Sequence, residues 1–218
     1  MYRSQMRYLQ LRSRYVALWL LAAGTLTSCG NAYKGMTAVA AQAAPLESLQ
    51  PVFHSELYRS QVDITGRHLS GLLLIKTMPD SSRRVVFSTE TGFKFFDFAF
   101  DSTGTFSVIQ IMDKLNKKVV ISALRNDFDL LLMLRSKYPP DITAMHKGQL
   151  YRGFKLGGKT FWYVTPADGT TLDHAELGAK RKILAEAKWF PGNGTAPDSI
   201  SLVHHNFHFT IDLKKLER

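Results

Sequence analysis

The sequence predicts a mostly β protein of the α+β class, in which a single curved antiparallel sheet, an open half-barrel, packs around one main helix. Three observations predict it. Short apolar segments separated by turn residues follow one another from residue 53 to 111, as in an antiparallel meander. The segment Asp113 to Arg135 then has apolar residues near helical spacing, and strand patterns resume after it. A largely buried helix among such strands favours a sheet that curves around it.

Five strands are predicted before the helix, at residues 53–64, 68–78, 83–90, 93–100 and 105–111, with turns such as Pro79 to Ser82 and Asp101 to Gly104 between them. The fourth segment, FKFFDFAF, carries phenylalanines on both faces. Because a sheet with one face in water alternates apolar and polar residues, both faces are expected to be covered, by the helix, a lid, a partner or lipid. The alternative is an ordinary core on one face with scattered exposed aromatic residues on the other.

The helix and the later strands follow from local patterns. Asp113 is a candidate N-cap, Pro139-Pro140 stops the element, and the apolar stretch from Leu130 to Leu134 predicts a buried end. After it, strands are predicted at Leu150–Leu156, Lys159–Val164, Leu172–Leu177 and 183–189, followed by one last strand over residues 199–213. Gly157-Gly158 is a two-residue hairpin signal between the first two of these.

The N-terminal segment has the order of a secretory signal. Four arginines and no acidic residue precede the apolar run VALWLLAAGTLTSC, which ends at Cys29, the only cysteine. This run is shorter than the roughly 20 residues that span a bilayer. Leu26-Thr27-Ser28-Cys29 resembles the lipobox of bacterial lipoproteins, which implies cleavage before Cys29, acylation of that residue and a membrane anchor. The alternative is a free thiol that happens to follow a signal, for which a soluble exported protein has little use.

The expected organisation is a signal peptide over residues 1–28, a flexible tether of small and polar residues over 29–48, and one β-rich domain over 49–218. By resemblance to lipoprotein sorting, Gly30 favours the outer membrane, with the domain facing the periplasm. The leader arginines account for 4 of the net charge of +10. The other basic residues are scattered instead of forming a stripe, so we expect no nucleic-acid partner. The implied lipid anchor makes the membrane the expected partner.

The order of strands, helix and strands resembles the bacterial LolA/LolB-like fold over most of the chain after the tether, and Leu57 to Leu132 is similar to a group of uncharacterised bacterial envelope lipoproteins. The LolA/LolB-like resemblance implies an apolar cavity for lipid or lipoprotein acyl chains and a non-enzymatic role in envelope transport or assembly. The strand and helix patterns give as cavity candidates Leu72, Leu74, Phe96, Phe98, Phe128 and Leu131. The alternative function is a structural or protein-docking lipoprotein with a filled core and no ligand.

One further pattern matches a nucleotide-binding motif. Gly153 to Thr160 matches the phosphate-loop pattern G-x-x-x-x-G-K-[ST], which needs a strand before it and a helix after it. Here Lys159-Thr160 runs into the strand-forming residues FWYV, so we expect a hairpin and no nucleotide.

The histidines and carboxylates do not suggest a metal site or an active site. His204 and His208 share a strand face but lie about 13 Å apart, and His205 points the other way. The remaining histidines, His54, His68, His146 and His174, are single and lack a metal-type neighbour pattern. Asp97 is expected to be either a buried, paired carboxylate or an exposed one beside Lys94. With no nucleophile elbow and no H-E-x-x-H motif, the sequence predicts no enzyme, no cofactor and no metal, and an envelope hydrolase is a rival without a candidate residue.

Overall fold

The computed structural model describes residues 30–40, 44–64 and 66–217. The predicted signal peptide and Cys29 lie outside the described residues, so both the signal peptide and the lipobox stay predictions. The strands are β1 (Thr37–Ala38), β2 (Ser55–Ile64), β3 (Arg67–Thr77), β4 (Arg83–Ser88), β5 (Lys94–Phe100), β6 (Phe106–Ile111), β7 (Ile142–His146), β8 (Gln149–Leu156), β9 (Lys159–Pro166), β10 (His174–Ala179), β11 (Lys182–Phe190), β12 (Ser199–His204) and β13 (Phe209–Lys215). The α-helix, α1 (Lys118–Leu131), and short 3-10 helices at Leu46–Leu49 and Asp113–Leu115 complete the described elements.

All thirteen strands form one antiparallel sheet in the order β1-β7-β8-β9-β10-β11-β12-β13-β2-β3-β4-β5-β6. Two meanders, β2 to β6 and β7 to β13, therefore meet where β13 pairs with β2. The described sheet is open, with β1 and β6 at its edges. This arrangement confirms the predicted fold class of a mostly β protein with a single open antiparallel sheet and one main helix.

The sheet curves around α1. The helix packs on Phe96 and Phe98 of β5 and also contacts β10 and β11. Six strands separate β5 from β10 in the sheet, which would place them more than about 30 Å apart if the sheet were flat. A helix about 10 Å wide can reach both only because the sheet bends toward it. We call the face toward α1 the inner face and the opposite one the outer face.

The helix is shorter than the predicted Asp113 to Arg135. Residues Asp113–Leu115 form a 3-10 turn, and Lys117 is in an extended conformation with no side-chain cap, so the predicted N-cap at Asp113 is wrong. At the other end Met133 takes a φ of 49°, far before Pro139. The amides of Leu134 and Met133 donate to the carbonyls of Asp129 and Leu130 in a Schellman motif, which ends the helix locally.

The buried end of α1 has partners for its terminal carbonyls. Leu132 and Met133 are both fully buried. The Leu132 carbonyl accepts hydrogen bonds from Gln50 Nε2 (2.6 Å) and from Arg83 Nη1 (3.1 Å). Because unpaired carbonyls at a helix end are costly when buried, these two side chains fix the end of α1 against β4 and the segment before β2. The prediction that the stretch from Leu130 to Leu134 is buried is confirmed.

Three segments differ from the sequence-based expectation. Residues 199–213 form two strands, because His205 to His208 make a turn between β12 and β13. The strand β7 was not predicted. The segment expected to be a flexible tether contributes β1, which pairs with β7, and Val39 donates to the carbonyl of Thr143. Tyr33 and Met36 of the same segment pack on an outer-face cluster of Tyr151, Trp162 and Val164.

The predicted hairpin at Gly157-Gly158 is confirmed. These glycines join β8 to β9 with φ values of 56° and 76°, as a two-residue turn with both central residues at positive φ requires. Lys159 therefore begins a strand, and the pattern from Gly153 to Thr160 lacks the helix N-terminus that a phosphate loop uses. Among the described residues, no helix has the length and apolar character needed to cross a membrane.

Candidate functional site

An apolar cavity of about 320 Å³ lies between α1 and the inner face of the sheet. The sheet contributes side chains of β2, β3, β4, β5 and β13, and the helix contributes its first three turns. Of the lining residues only Ser60 is polar, and the apolar ones are Val62, Ile64, Leu69, Leu73, Phe87, Phe96, Leu115, Val119, Val120, Ala123, Leu124, Phe128, Phe207, Phe209 and Ile211. The seam between the two meanders thus forms one wall of the cavity.

The mouth of the cavity is lined by three apolar residues that are unusually exposed. Leu69 follows the β2–β3 turn, Val119 lies in the first turn of α1, and Phe207 lies in the β12–β13 turn. Their exposed fractions are 37%, 75% and 40%. Water therefore meets apolar side chains at the entrance, and an apolar ligand entering the cavity would cover them.

The structure separates the six sequence-predicted cavity residues into three pairs. Phe96 and Phe128 line the cavity, with ring centroids 5.7 Å apart. Phe98 and Leu131 are buried in the core beyond its wall.

Leu72 and Leu74 lie on the outer face. Residues of a strand alternate between faces, and Leu73, which pairs with Tyr58 and Phe87, is the one that points inward. The cavity therefore uses Leu73 in place of Leu72 and Leu74. A run of four apolar residues, from Leu72 to Ile75, gave no alternation from which to choose between the faces.

A buried pair of a carboxylate and an imidazole lies beside the cavity. Asp127 of α1 and His204 of β12 are both almost fully buried, and His204 Nε2 lies 2.9 Å from Asp127 Oδ1. The rings of Phe207 and Phe209, which line the cavity, contact the imidazole at 4.7 and 4.9 Å between centroids. Burial raises the pKa of the Asp127 carboxyl, and the hydrogen bond from His204 opposes this rise. No signal in the sequence indicated Asp127 as the partner of His204.

Asp97, the carboxylate singled out from the sequence, is a paired structural group. It is buried on the outer face, where Arg84 donates to both of its oxygens at 2.7 Å and Lys94 donates to Oδ2 at 3.2 Å. The expectation of a buried, paired carboxylate is confirmed, and the alternative of an exposed one is wrong, although Lys94 does contact it. Its full set of charged donors indicates a role in fastening β4 to β5.

A second polar cluster lies on the outer face of β10 and β11, and sequence reasoning missed it. His174 and Glu176 point the same way from β10, and Glu186 pairs with Glu176 across the strands. His174 Nδ1 lies 2.7 Å from Asp173 Oδ2, and His174 Nε2 lies 3.1 Å from Glu176 Oε1. The detectable signal was the spacing His-x-Glu, which places two ligand-type side chains on one face of a strand.

Comparisons with known proteins find similar solved structures, of which two are described below. No protein-family model matches the chain, and no curated protein matches it significantly. One similar structure is a DUF1329 family protein from Desulfovibrio piger, with 8% identity and a TM-score of 0.42 over 79% of this chain and 87% of that one. Another is a domain described as an outer membrane lipoprotein-sorting protein from Vibrio parahaemolyticus, with 6% identity and a TM-score of 0.39 over the same shares, 79% and 87%.

Proposed function

We propose that this chain is a membrane-anchored, non-enzymatic lipoprotein of the bacterial envelope that binds acyl chains of lipids or lipoproteins in its apolar cavity, as part of envelope transport or assembly. The observation that carries the proposal is the cavity of about 320 Å³ with an exposed apolar mouth. Its volume lies at the lower end of the roughly 300–1,000 Å³ that ligand sites occupy. The lipobox-like sequence ending at Cys29 supports the envelope location.

The chemistry of the lining suits an acyl chain. Apart from Ser60 it offers no polar side chain, so a ligand with many hydrogen-bonding groups would lose its hydration without compensation. An alkyl chain has no such groups, and each methylene transferred from water contributes about 0.8 kcal/mol. Three exposed lysines, Lys114, Lys117 and Lys118, lie next to Val119 in the chain and would favour an anionic headgroup at the mouth.

The test is native mass spectrometry of the full-length protein, released from detergent micelles, with phosphatidylglycerol as the probe. We expect the wild type to retain lipid and Val119→Asp to bind at least about tenfold more weakly, because the acyl chain would have to desolvate a carboxylate at the mouth. Ala123→Phe, which fills the cavity without adding a charge, should weaken binding in the same way.

The matched control is Ile109→Asp. Ile109 is also an exposed apolar residue, on the edge strand β6, but it does not line the cavity. Its substitution should leave lipid retention unchanged. If the wild type retains no lipid, or if the mouth and edge variants bind equally well, the acyl-chain proposal is wrong.

The alternative is a structural or protein-docking lipoprotein without a ligand. The exposed side chains of Val108 and Ile109 on the edge strand β6 favour it, because an open sheet edge can pair with a strand of another protein. On this alternative Ile109→Asp would impair the cellular role of the protein, and Val119→Asp would not. The two variants therefore separate the two functions.

A further inference from the structure

We infer that His174, Glu176 and Glu186 bind a divalent metal ion, with zinc as the best match, on the outer face of the sheet. This site is separate from the apolar cavity and independent of its proposed ligand.

The three side chains already converge. His174 and Glu176 are two residues apart on β10, and Glu186 lies directly across from Glu176 on β11. One ligand atom from each lies within 4.8 Å of the other two. Nitrogen and oxygen ligands lie about 2.0–2.2 Å from zinc, so atoms around one tetrahedral ion are roughly 3.4 Å apart. Small side-chain rotations therefore bring all three to one ion.

Glu176 is a buried carboxylate whose ion-pair partner among the described residues is His174. The exposed fraction of Glu176 is only 3%. The Tyr151 hydroxyl and His174 Nε2 lie 3.3 and 3.1 Å from Oε1, and the Tyr33 hydroxyl also interacts with this carboxylate, which is buried at both oxygens. Glu186 carries a second negative charge directly across the strand pair, which is unfavourable, and the Lys188 ammonium, 3.0 Å from Glu186 Oε1, offsets part of that cost. A metal ion bound by both carboxylates removes the rest of that cost.

A supporting residue already orients the histidine. The Asp173 carboxylate lies 2.7 Å from His174 Nδ1, and the Gln149 amide donates to the same oxygen at 3.0 Å. This contact leaves Nε2 facing Glu176 as the coordinating atom, as in metal sites where a carboxylate holds the second nitrogen of a histidine ligand. On binding, Nε2 releases its proton to solvent and donates its lone pair to the metal. The half-exposed Glu186 leaves a path for the ion and for a water molecule as fourth ligand.

Lys188 competes with the ion. Its ammonium lies 3.0 Å from Glu186 Oε1 and supplies positive charge to that carboxylate. A metal must displace it, so Lys188→Met should tighten binding, whereas a purely structural ion-pair network would gain nothing from this change.

The experiment is isothermal titration calorimetry of the full-length protein in detergent with ZnCl2, supported by metal analysis after dialysis. We expect one zinc ion per chain for the wild type, at least tenfold weaker binding for Glu186→Gln, and tighter binding for Lys188→Met. Glu186→Gln is chosen over a change at Glu176 because the partly exposed Glu186 can be altered with little effect on folding.

His68→Gln is the matched control, because His68 also contacts a carboxylate, that of Asp63 at 2.9 Å, but this pair is exposed and is not joined by a third ligand among the described residues. It should bind zinc like the wild type. The inference is overturned if the wild type binds no zinc, which would leave His174 as an imidazolium between two carboxylates, or if Glu186→Gln and the wild type bind equally. Phosphatidylglycerol retention should be the same in all four proteins, so failure here is distinguishable from failure of the acyl-chain proposal.

Discussion

At the scale of single residues, the buried pair of Asp127 and His204 is the most consequential feature of the inner face. A carboxylate in an apolar core is tolerated only with a close partner, and Asp127 has one such contact while its Oδ2 has none among the described residues. The pair joins α1 to β12 next to Phe207 and Phe209 of the cavity wall. Loss of this pair is therefore expected to lower the stability of the protein and to change the shape of the cavity.

We expect His204→Leu to lower the free energy of unfolding by about 3–5 kcal/mol at pH 8, because it leaves a buried carboxylate without its partner. The cost should be smaller at pH 5. Burial raises the pKa of Asp127, and loss of His204 raises it further. A raised folded-state pKa favours the folded state at low pH, and this advantage is lost as the pH rises through that pKa.

Urea unfolding of the wild type and of His204→Leu at the two pH values measures this difference. His205→Leu is the control, since the neighbouring histidine is exposed and its substitution should change the free energy of unfolding by less than about 0.5 kcal/mol. An identical cost for His204→Leu at pH 5 and pH 8 would contradict the account of Asp127.

Residue-scale prediction from the sequence succeeded where periodicity was informative. Phe128 lies between Asp127 and Asp129, so helical spacing indicated its apolar face, whereas the phenylalanines on both faces of FKFFDFAF gave no such signal for Phe96. Leu72 and Leu74 were misplaced because Leu73 and Ile75 are apolar too, and pairing with Tyr58 and Phe87 decides which set faces inward. The partnership of His174 with Glu186 depends on the β10–β11 register, which local sequence does not contain.

At the scale of elements, α1 shows which features of a helix follow from local sequence and which depend on tertiary contacts. Its existence and buried face followed from the spacing of apolar residues, but its ends did not. The N-terminal end depends on the extended conformation of Lys117, and the C-terminal end on Met133 adopting positive φ without being glycine. Gln50 and Arg83, both distant in sequence, hold the carbonyls there. Tertiary contacts thus override the local helical pattern.

Leu131→Ala should lower the free energy of unfolding by about 2–5 kcal/mol, because Leu131 is fully buried in the last turn of α1 and its loss leaves a cavity in the core. Val119→Ala, in the first turn of the same helix at the exposed mouth of the cavity, should change the free energy of unfolding by less than about 0.5 kcal/mol. Denaturant unfolding of the two variants provides the comparison. Equal, small effects would mean that α1 does not contribute to the core.

The β8–β9 hairpin is the element that the sequence predicted most completely. Gly158 has a φ of 76° with open space where a Cβ atom would lie, so Gly158→Ala tests backbone strain without a steric clash. We expect it to lower the free energy of unfolding by about 1 kcal/mol. Thermal unfolding checks this, with Gly30→Ala as the control, since no positive φ is present there. A stabilised Gly158→Ala protein would contradict the turn geometry.

At the scale of the whole molecule, the proposed function depends on attachment to a membrane through Cys29. We expect metabolic labelling with a fatty-acid analogue to mark the wild type and not Cys29→Ser, and cell fractionation to recover the wild type alone in the membrane fraction. Urea unfolding of Cys29→Ser should match the wild type, so that loss of attachment is not confused with loss of folding. Equal labelling, or equal recovery in the membrane, would show that Cys29 is not an anchor.

The order of strands also has a consequence for how the protein matures. Val62 of β2 pairs with Ile211 of β13, so the wall of the cavity joins an early segment of the chain to almost the last one. If the chain is exported as the proposed function requires, the N-terminal meander emerges first with one side of β2 unpaired, and contacts between such distant segments form slowly. Binding competence should therefore arise only after the last strand has crossed the membrane. Until then the incomplete sheet offers an open edge at β2 and leaves the apolar side chains of the future cavity wall uncovered.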